Sequence, residues 1–234
     1  MQLESTNFEI VMLATPEVED YAWLGKKSWS KYAATHGYKF HLHDHKLFDD
    51  MHINWTKIEL VRQRLNETKS KFLLLVDADS FVFNPKLSLD DLLDPSKKIQ
   101  FGSDSSFPYP GVINIKTVHN FKRGLVNFLR FGEGQLPNAG FILMKVDDYS
   151  RWFFREWLEL AQGELSEFAD THPRNQNVLW RGLLRKEKSK LGLFSKQVIR
   201  LTREKQISYL DQIQPFVIHF RHKSLMAEDL SFLT

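Results

Sequence analysis

The chain has 234 residues, 42% of them hydrophobic and 26% charged. Those are ordinary values for a folded domain, and they exclude a disordered, collagenous or coiled-coil chain. Cysteine is absent, which excludes a disulfide scaffold, a thiolate-bound zinc and a cysteine nucleophile together. A formal net charge of +3 is too small to mark a nucleic-acid binder.

In chain order, short apolar runs alternate with longer amphipathic stretches. The start, MQLESTNFEI, lacks the basic and apolar stretches of a signal peptide. The expectation is a cytoplasmic protein, or a soluble catalytic part of a longer one. Phe8 to Leu13 reads as a first strand. Thr15-Pro16 opens a helix: Pro suits a first helical turn, and Glu17, Glu19 and Asp20 favour its positive end. That helix runs to about Thr35 and stops at Gly37. Tyr38 to His43 alternates like a strand. Trp55 to Leu65 carries apolar residues at 55, 58, 61 and 65, a helical stripe. Phe72 to Val76 is fully apolar, as a strand at a sheet centre would be. It is also the longest strongly apolar run, far below the ~20 residues that cross a bilayer. Further short strands are expected at Ile99 to Gly102, Val112 to Ile115, Phe141 to Val146, near Val198 and at Phe216 to Phe220. Val118 to Phe131, Asp147 to Ala161 and Asn175 to Leu184 read as helices. With no repeat and no Gly/Ser linker, the pattern predicts one α/β domain with a mixed, mostly parallel central sheet flanked by helices.

The sharpest feature is Leu73-Leu74-Leu75-Val76-Asp77-Ala78-Asp79-Ser80. An apolar strand ends there in two carboxylates one residue apart. Ligands of open α/β sheets collect at the carboxyl ends of strands. Two carboxylates at such a place repel each other unless a cation joins them, and Mn²⁺ or Mg²⁺ would do so. The bland reading is a turn with helix-capping aspartates.

Around Asp77-Ala-Asp79 the chain resembles metal-dependent nucleotide-sugar glycosyltransferases of the GT-A (Rossmann-like) fold, which carry a DxD motif. Other segments fall in that family's order. Tyr32-Ala-Ala-Thr-His-Gly37-Tyr38 is similar to the stretch after its first helix, and Trp55-Thr-Lys57-Ile58 to the helix before its DxD strand. Asp104-Ser-Ser-Phe-Pro108 is similar to an acidic segment of procollagen-type enzymes. Leu136-Pro-Asn138-Ala139-Gly140-Phe141 resembles "LNaGvf", Asn175-Gln176 a downstream "DQ", and Ile218-His219-Phe220 a late "hHf". The resemblance spans about 8–223 and is nearest the galactosyl/mannosyl transferase and procollagen glycosyltransferase groups.

It implies transfer of a hexose or pentose from a nucleoside-diphosphate sugar, a UDP-sugar first, to a hydroxyl of a glycan or glycoprotein. Asp77, Asp79 and His219 would hold Mn²⁺ or Mg²⁺, which neutralises the diphosphate leaving group. Asp77 would also meet the ribose. Thr15, Tyr21, Lys57, Asn138, Ala139, Gly140 and Lys223 would meet the nucleotide, diphosphate or donor sugar. Asp104 is the candidate base for an inverting transfer. The "DQ" position departs from the family: Asn175 and Gln176 can hold hydroxyls, but an amide is neither base nor nucleophile. The late segment departs too, since His219-Phe-Arg-His222-Lys223 lacks the family's Gly. The expected division is a single domain over 1–234, with a donor part at about 8–116 and an acceptor and metal-closing part at about 117–223.

Two other readings compete. A phosphatase of the haloacid dehalogenase type would use Asp77 as nucleophile, and a nucleotide-sugar-binding protein would have lost catalysis. His41, His43 and His45 alternate and would share a face, a solvated strand end sooner than a metal site without further ligands. Arg181 to Lys205 is strongly basic, with only Glu187 and Glu204 opposing. It suits a solvated face or peripheral membrane contact and, lacking interleaved aromatics, not nucleic acid.

Overall fold

The computed structural model describes residues 7–104, 125–130, 135–195, 198–202 and 215–220. β1 (Phe8–Leu13) is buried along its whole length. β2 (Lys39–His43) and β3 (Phe72–Asp77) pair with it in parallel, one on each side. Strands covered on both faces read as continuous apolar runs, and β1 and β3 do. Between β1 and β2, a 3-10 turn at Pro16–Val18 leads into α1 (Glu19–His36). Gly37 ends α1 at φ 69°, donating its N–H to the Ala33 carbonyl. Glycine takes that left-handed conformation at no steric cost. α2 (Ile53–Glu67) connects β2 to β3, and His52 caps it by accepting the Asn54 N–H on Nδ1 at 3.2 Å.

β5 (Ile99–Asp104), β6 (Leu136–Lys145) and β7 (Leu191–Leu193) complete a six-stranded sheet in the order β2-β1-β3-β6-β5-β7. β6 runs against its neighbours, while β5 and β7 are parallel. This is the mixed, mostly parallel sheet expected from the sequence. β6 starts five residues earlier than the apolar run beginning at Phe141 suggests. A register shift in β5 between Phe101 and Gly102 pairs Gly102 with Asn138 and Ser103 with Pro137. The ladder thereby overrides the low strand propensity of Pro and Asn.

Helices and a small second sheet cover the two faces. α3 is the described helical stretch 125–130, which leaves Leu125, Val126, Phe128 and Leu129 exposed. On one face lie α2, α4 (Asp148–Gln162), α6 (Asn175–Gly182) and the short α5 (Ser166–Ala169) and α7 (Leu184–Glu187). Trp55, Phe101, Phe153 and Trp157 fill the core there. On the other face lie α1 and a three-stranded sheet, β4 (Ser80–Val82), β9 (Val217–Phe220) and β8 (Ile199–Thr202), in the order β4-β9-β8. Trp29, Tyr32, Phe141 and Phe216 meet in that core. The expected strand at Val112 to Ile115 and most of the expected helix before Leu125 lie outside the described residues. Among the described residues, no helix is long and apolar enough to cross a membrane.

Candidate active site

The order β2-β1-β3 reverses direction at β1, so a crevice opens beyond the carboxyl ends of β1 and β3. Asp77 is the last residue of β3, and Asp79 immediately precedes β4. The turn between them is braced from below. The Ser80 hydroxyl donates to the Asp77 carbonyl at 2.5 Å and accepts the indole N–H of Trp29 at 3.0 Å. Gly25 of α1 lies so close that a Cβ there would overlap the Ala78 carbonyl oxygen. Helix and turn can approach this closely only because Gly25 has no side chain.

β9 brings the third member. Its antiparallel pairing with β4 sets His219 opposite Ser80. His219 Nε2 lies 3.0 Å from Asp79 Oδ1 and 3.6 Å from Asp77 Oδ2. One ligand atom from each of the three residues falls within 4.8 Å of the others. Burial alone would pull the His219 pKa down, but Asp79 and Asp77 outweigh it and hold the imidazole protonated above its ordinary range. Burial would likewise raise Asp79, yet His219 and Lys57 keep its carboxyl below the usual carboxylate range. The donors are carboxylate oxygens and one imidazole nitrogen, a set that fits Mn²⁺ or Mg²⁺. Such an ion would take the place of the His219 proton.

Lys57, in the first turns of α2, reaches Asp77 Oδ1 at 2.5 Å. The carboxylate is thus divided, with Oδ1 facing Lys57 and Oδ2 facing His219. Gly140 in β6 forms the floor: a Cβ there would meet His219 Cε1 at 2.5 Å and Asp77 Oδ2 at 2.6 Å. Asn138 turns its Oδ1 back onto the Gly140 N–H at 2.7 Å. The Ala139 N–H is taken by Gln176 Oε1 at 3.0 Å. With its oxygen committed, Gln176 has the amide nitrogen left to offer a ligand, as a donor. Asn175 is 2% exposed. Its Oδ1 accepts from the Gln176 N–H at 2.9 Å, and its Nδ2 points at the Asn54 carbonyl at 3.4 Å. This amide therefore ties α6 to the start of α2.

The remaining sequence candidates are spread more widely. Thr15 is buried at the end of β1, where it begins the 3-10 turn. Tyr21 packs its ring against Leu24, Phe81 and Ile218. Burial and nearby Asp79 push its hydroxyl up to about 12. Asp104 ends β5 opposite Leu136, and its side chain lies outside the described residues. Lys223 lies outside them entirely. In the basic run, Arg181 sits over the Phe168 ring and Lys190 pairs with Glu187. The rings of His43 and His45 are 4.0 Å apart, and among the described residues no carboxylate completes a three-ligand group with them.

Sequence reasoning missed two contributors, Ser80 and Trp29, which brace the turn. Ser80 follows the acidic pair directly and was the one within reach of a sequence signal. Trp29 depends on long-range packing.

The model of the galactosyl transferase GMA12/MNN10 family matches residues 9–225. Among solved structures, the chain is similar to a glycosyltransferase involved in glycosylation of the major capsid of PBCV-1. That match has a TM-score of 0.65 and 12% identity over 91% of this chain and 92% of that one. It is similar to the galactosyltransferase LgtC solved with donor and acceptor sugar analogs, at TM-score 0.58 and 14% identity over 92% and 87%. It also matches mouse xyloside xylosyltransferase 1 at TM-score 0.50 and 11% identity over 91% and 97%. At these identities the likeness is one of fold, and that fold is GT-A. No curated protein matches the chain significantly. Nothing in the family or the fold supports the phosphatase reading of Asp77.

Proposed function

The chain belongs to the galactosyl transferase GMA12/MNN10 family, and we propose that it moves a hexose or pentose from a UDP-sugar to a hydroxyl of a glycan or glycoprotein. The observation that carries this reading is the meeting of Asp77, Asp79 and His219 at the switch point of the sheet. These three would hold Mn²⁺ or Mg²⁺, which when bound supplies the positive charge that neutralises a departing diphosphate.

The chain's own groups do the rest. Lys57 fixes the plane of Asp77 and adds a second positive charge beside the leaving group. Thr15 and Tyr21 border the nucleotide end of the crevice, and Lys223 is proposed for the phosphates. Asn138, Ala139 and Gly140 bring backbone close to the donor sugar. Gln176 offers that sugar an N–H, with its orientation set by the Ala139 bond. Asp104 is proposed as the base that takes the acceptor proton, for an inverting transfer. On this reading about 8–116 bind the donor, and about 117–223 receive the acceptor and close the cation site.

The test is a thermal-shift and turnover series with UDP-sugars, Mn²⁺ and EDTA. UDP with Mn²⁺ is expected to raise the Tm, and EDTA to cancel the rise. Asp79→Asn keeps the side-chain shape and is expected to lose the effect, along with at least 100-fold of UDP release. Full activity in that variant would overturn the assignment. Binding without UDP release from any donor would instead favour a nucleotide-sugar-binding protein.

A further inference from the structure

α3 is inverted relative to an ordinary surface helix. Leu125, Val126, Phe128 and Leu129 are exposed, Phe128 by 58% and Leu129 by 72%, while the polar Asn127 is half-buried. Leu125, Phe128 and Leu129 stand at i, i+3 and i+4 and so share one face. A surface helix normally turns such a face to the core. Four of the seven large apolar side chains exposed among the described residues lie in this one short stretch. A contiguous apolar patch of that kind marks a contact with another protein or a membrane.

The charge around it has one sign. The chain holds 29 acids in 234 residues, yet none falls between Asp104 and Glu133. The same stretch carries Lys116, Lys122, Arg123 and Arg130, and Arg130 is exposed at the end of α3. These cations decide the occupant. A second copy on a two-fold axis would set the patch against itself. Cations would then face cations, which is costly when no acid in the run answers them. An anionic bilayer answers both features. Phe and Leu enter the boundary between headgroups and acyl chains, while Lys and Arg reach the lipid phosphates.

The topology sets this surface at the crevice. β3 and β5 each run against β6. β5 therefore ends at Asp104, and β6 starts at Leu136, at the same end of the sheet where β3 ends at Asp77. Asp104 and Leu136 are themselves paired. The chain from Arg130 to Leu136 can span at most about 22 Å, so α3 stays within that reach of the crevice rim.

We propose that α3 is a membrane-contact surface, which attaches the protein peripherally to an anionic bilayer with the mouth of the crevice beside the lipid. The proposal concerns binding alone and stands whether or not the chain transfers a sugar.

The test is co-sedimentation of the full chain with vesicles, without metal or nucleotide. One set is phosphatidylcholine alone, and the other is phosphatidylcholine and phosphatidylserine in equal parts. The parent chain is expected to bind the anionic set at least tenfold more tightly, and to be released as NaCl is raised, because salt screens the lipid charge. Phe128→Ser combined with Leu129→Ser should lower that binding at least tenfold, and Arg130→Glu at least fivefold. Since these side chains are exposed, neither change should move the Tm by more than about 1 °C. Lys186→Glu, in the basic run after α6, should leave binding unchanged. A chain that ignores anionic vesicles overturns the proposal, as does equal binding to both sets. Binding that survives Phe128→Ser with Leu129→Ser overturns it too, and its loss in Lys186→Glu would then place the contact in the other basic run. A parent chain that is dimeric by light scattering, and monomeric with both serines, would assign α3 to a second copy and overturn the membrane contact.

Discussion

Gly140 is where one atom matters most. A methyl group there would overlap both Asp77 Oδ2 and His219 Cε1, and both belong to residues held by packing and pairing. Gly140→Ala should cost about 1–3 kcal/mol of fit. The overlap is already present without ligand, so the Tm of the free chain should fall by at least about 2 °C, and UDP–Mn²⁺ affinity should fall at least about tenfold as the cation site is displaced. Titration calorimetry with Mn²⁺ and UDP checks this, and unchanged affinity would contradict the floor role. At this scale much was legible. Asp77, Asp79, His219 and Lys57 are chemically distinctive residues at motif spacing, and the structure brings those four together. Atom-level roles were not legible. Nothing in the sequence says that Asn138 folds back on Gly140, or that Asn175 spends both ends of its amide on backbone.

Glu9 shows how an element is anchored away from the site. It sits on β1, 1% exposed. Arg64 Nε at the end of α2 donates to it at 2.7 Å, and the Thr68 hydroxyl at 2.5 Å. Burial would raise its pKa, but these bonds and the Arg64 charge hold it below the usual carboxylate range. The folded value is therefore the lower one. Its stabilisation is full above the unfolded value near ~4.3 and is lost as the pH falls through the folded value. Glu9→Gln should cost about 1.5–3 kcal/mol at neutral pH. The gap to the parent chain should close on acidification, as read by urea unfolding at several pH values. A gap independent of pH would show that charge is not the cause. Elements with long runs, β1, α1, α2, β3 and α4, were legible from periodicity. β4 and β7 are three residues each, too short for any pattern. β6 began early because its pairing with β5, not its own composition, makes Leu136 to Gly140 a strand.

Across the whole molecule, the second sheet is the part that sequence could not supply. β4 and β9 are far apart in the chain, and only pairing makes them neighbours. Yet this sheet carries His219 to Asp79, while the large sheet carries Asp77. On the proposed reading, Mn²⁺ with UDP bridges the two sheets. Amide exchange in β1, which reflects global opening, should then slow by the full added stability on adding both, and β4 and β9 should slow at least tenfold, because their local opening breaks the bridge. Hydrogen-exchange mass spectrometry reads this directly, and unchanged exchange in β4 and β9 would argue against the bridge.

The chain has no cysteine and so cannot fasten its late strand to its early half by a disulfide. Asp79 and His219 span more than half of the sequence and stand 3.0 Å apart. A cation shared between them would be a reversible clasp across that span, closed only while the ion is present. Fold and ligand supply would then be one equilibrium. At a free concentration one hundred times its dissociation constant, the ion would add about 2.7 kcal/mol to stability. A cell could thereby set the lifetime of this protein as well as its activity through the divalent metal it provides.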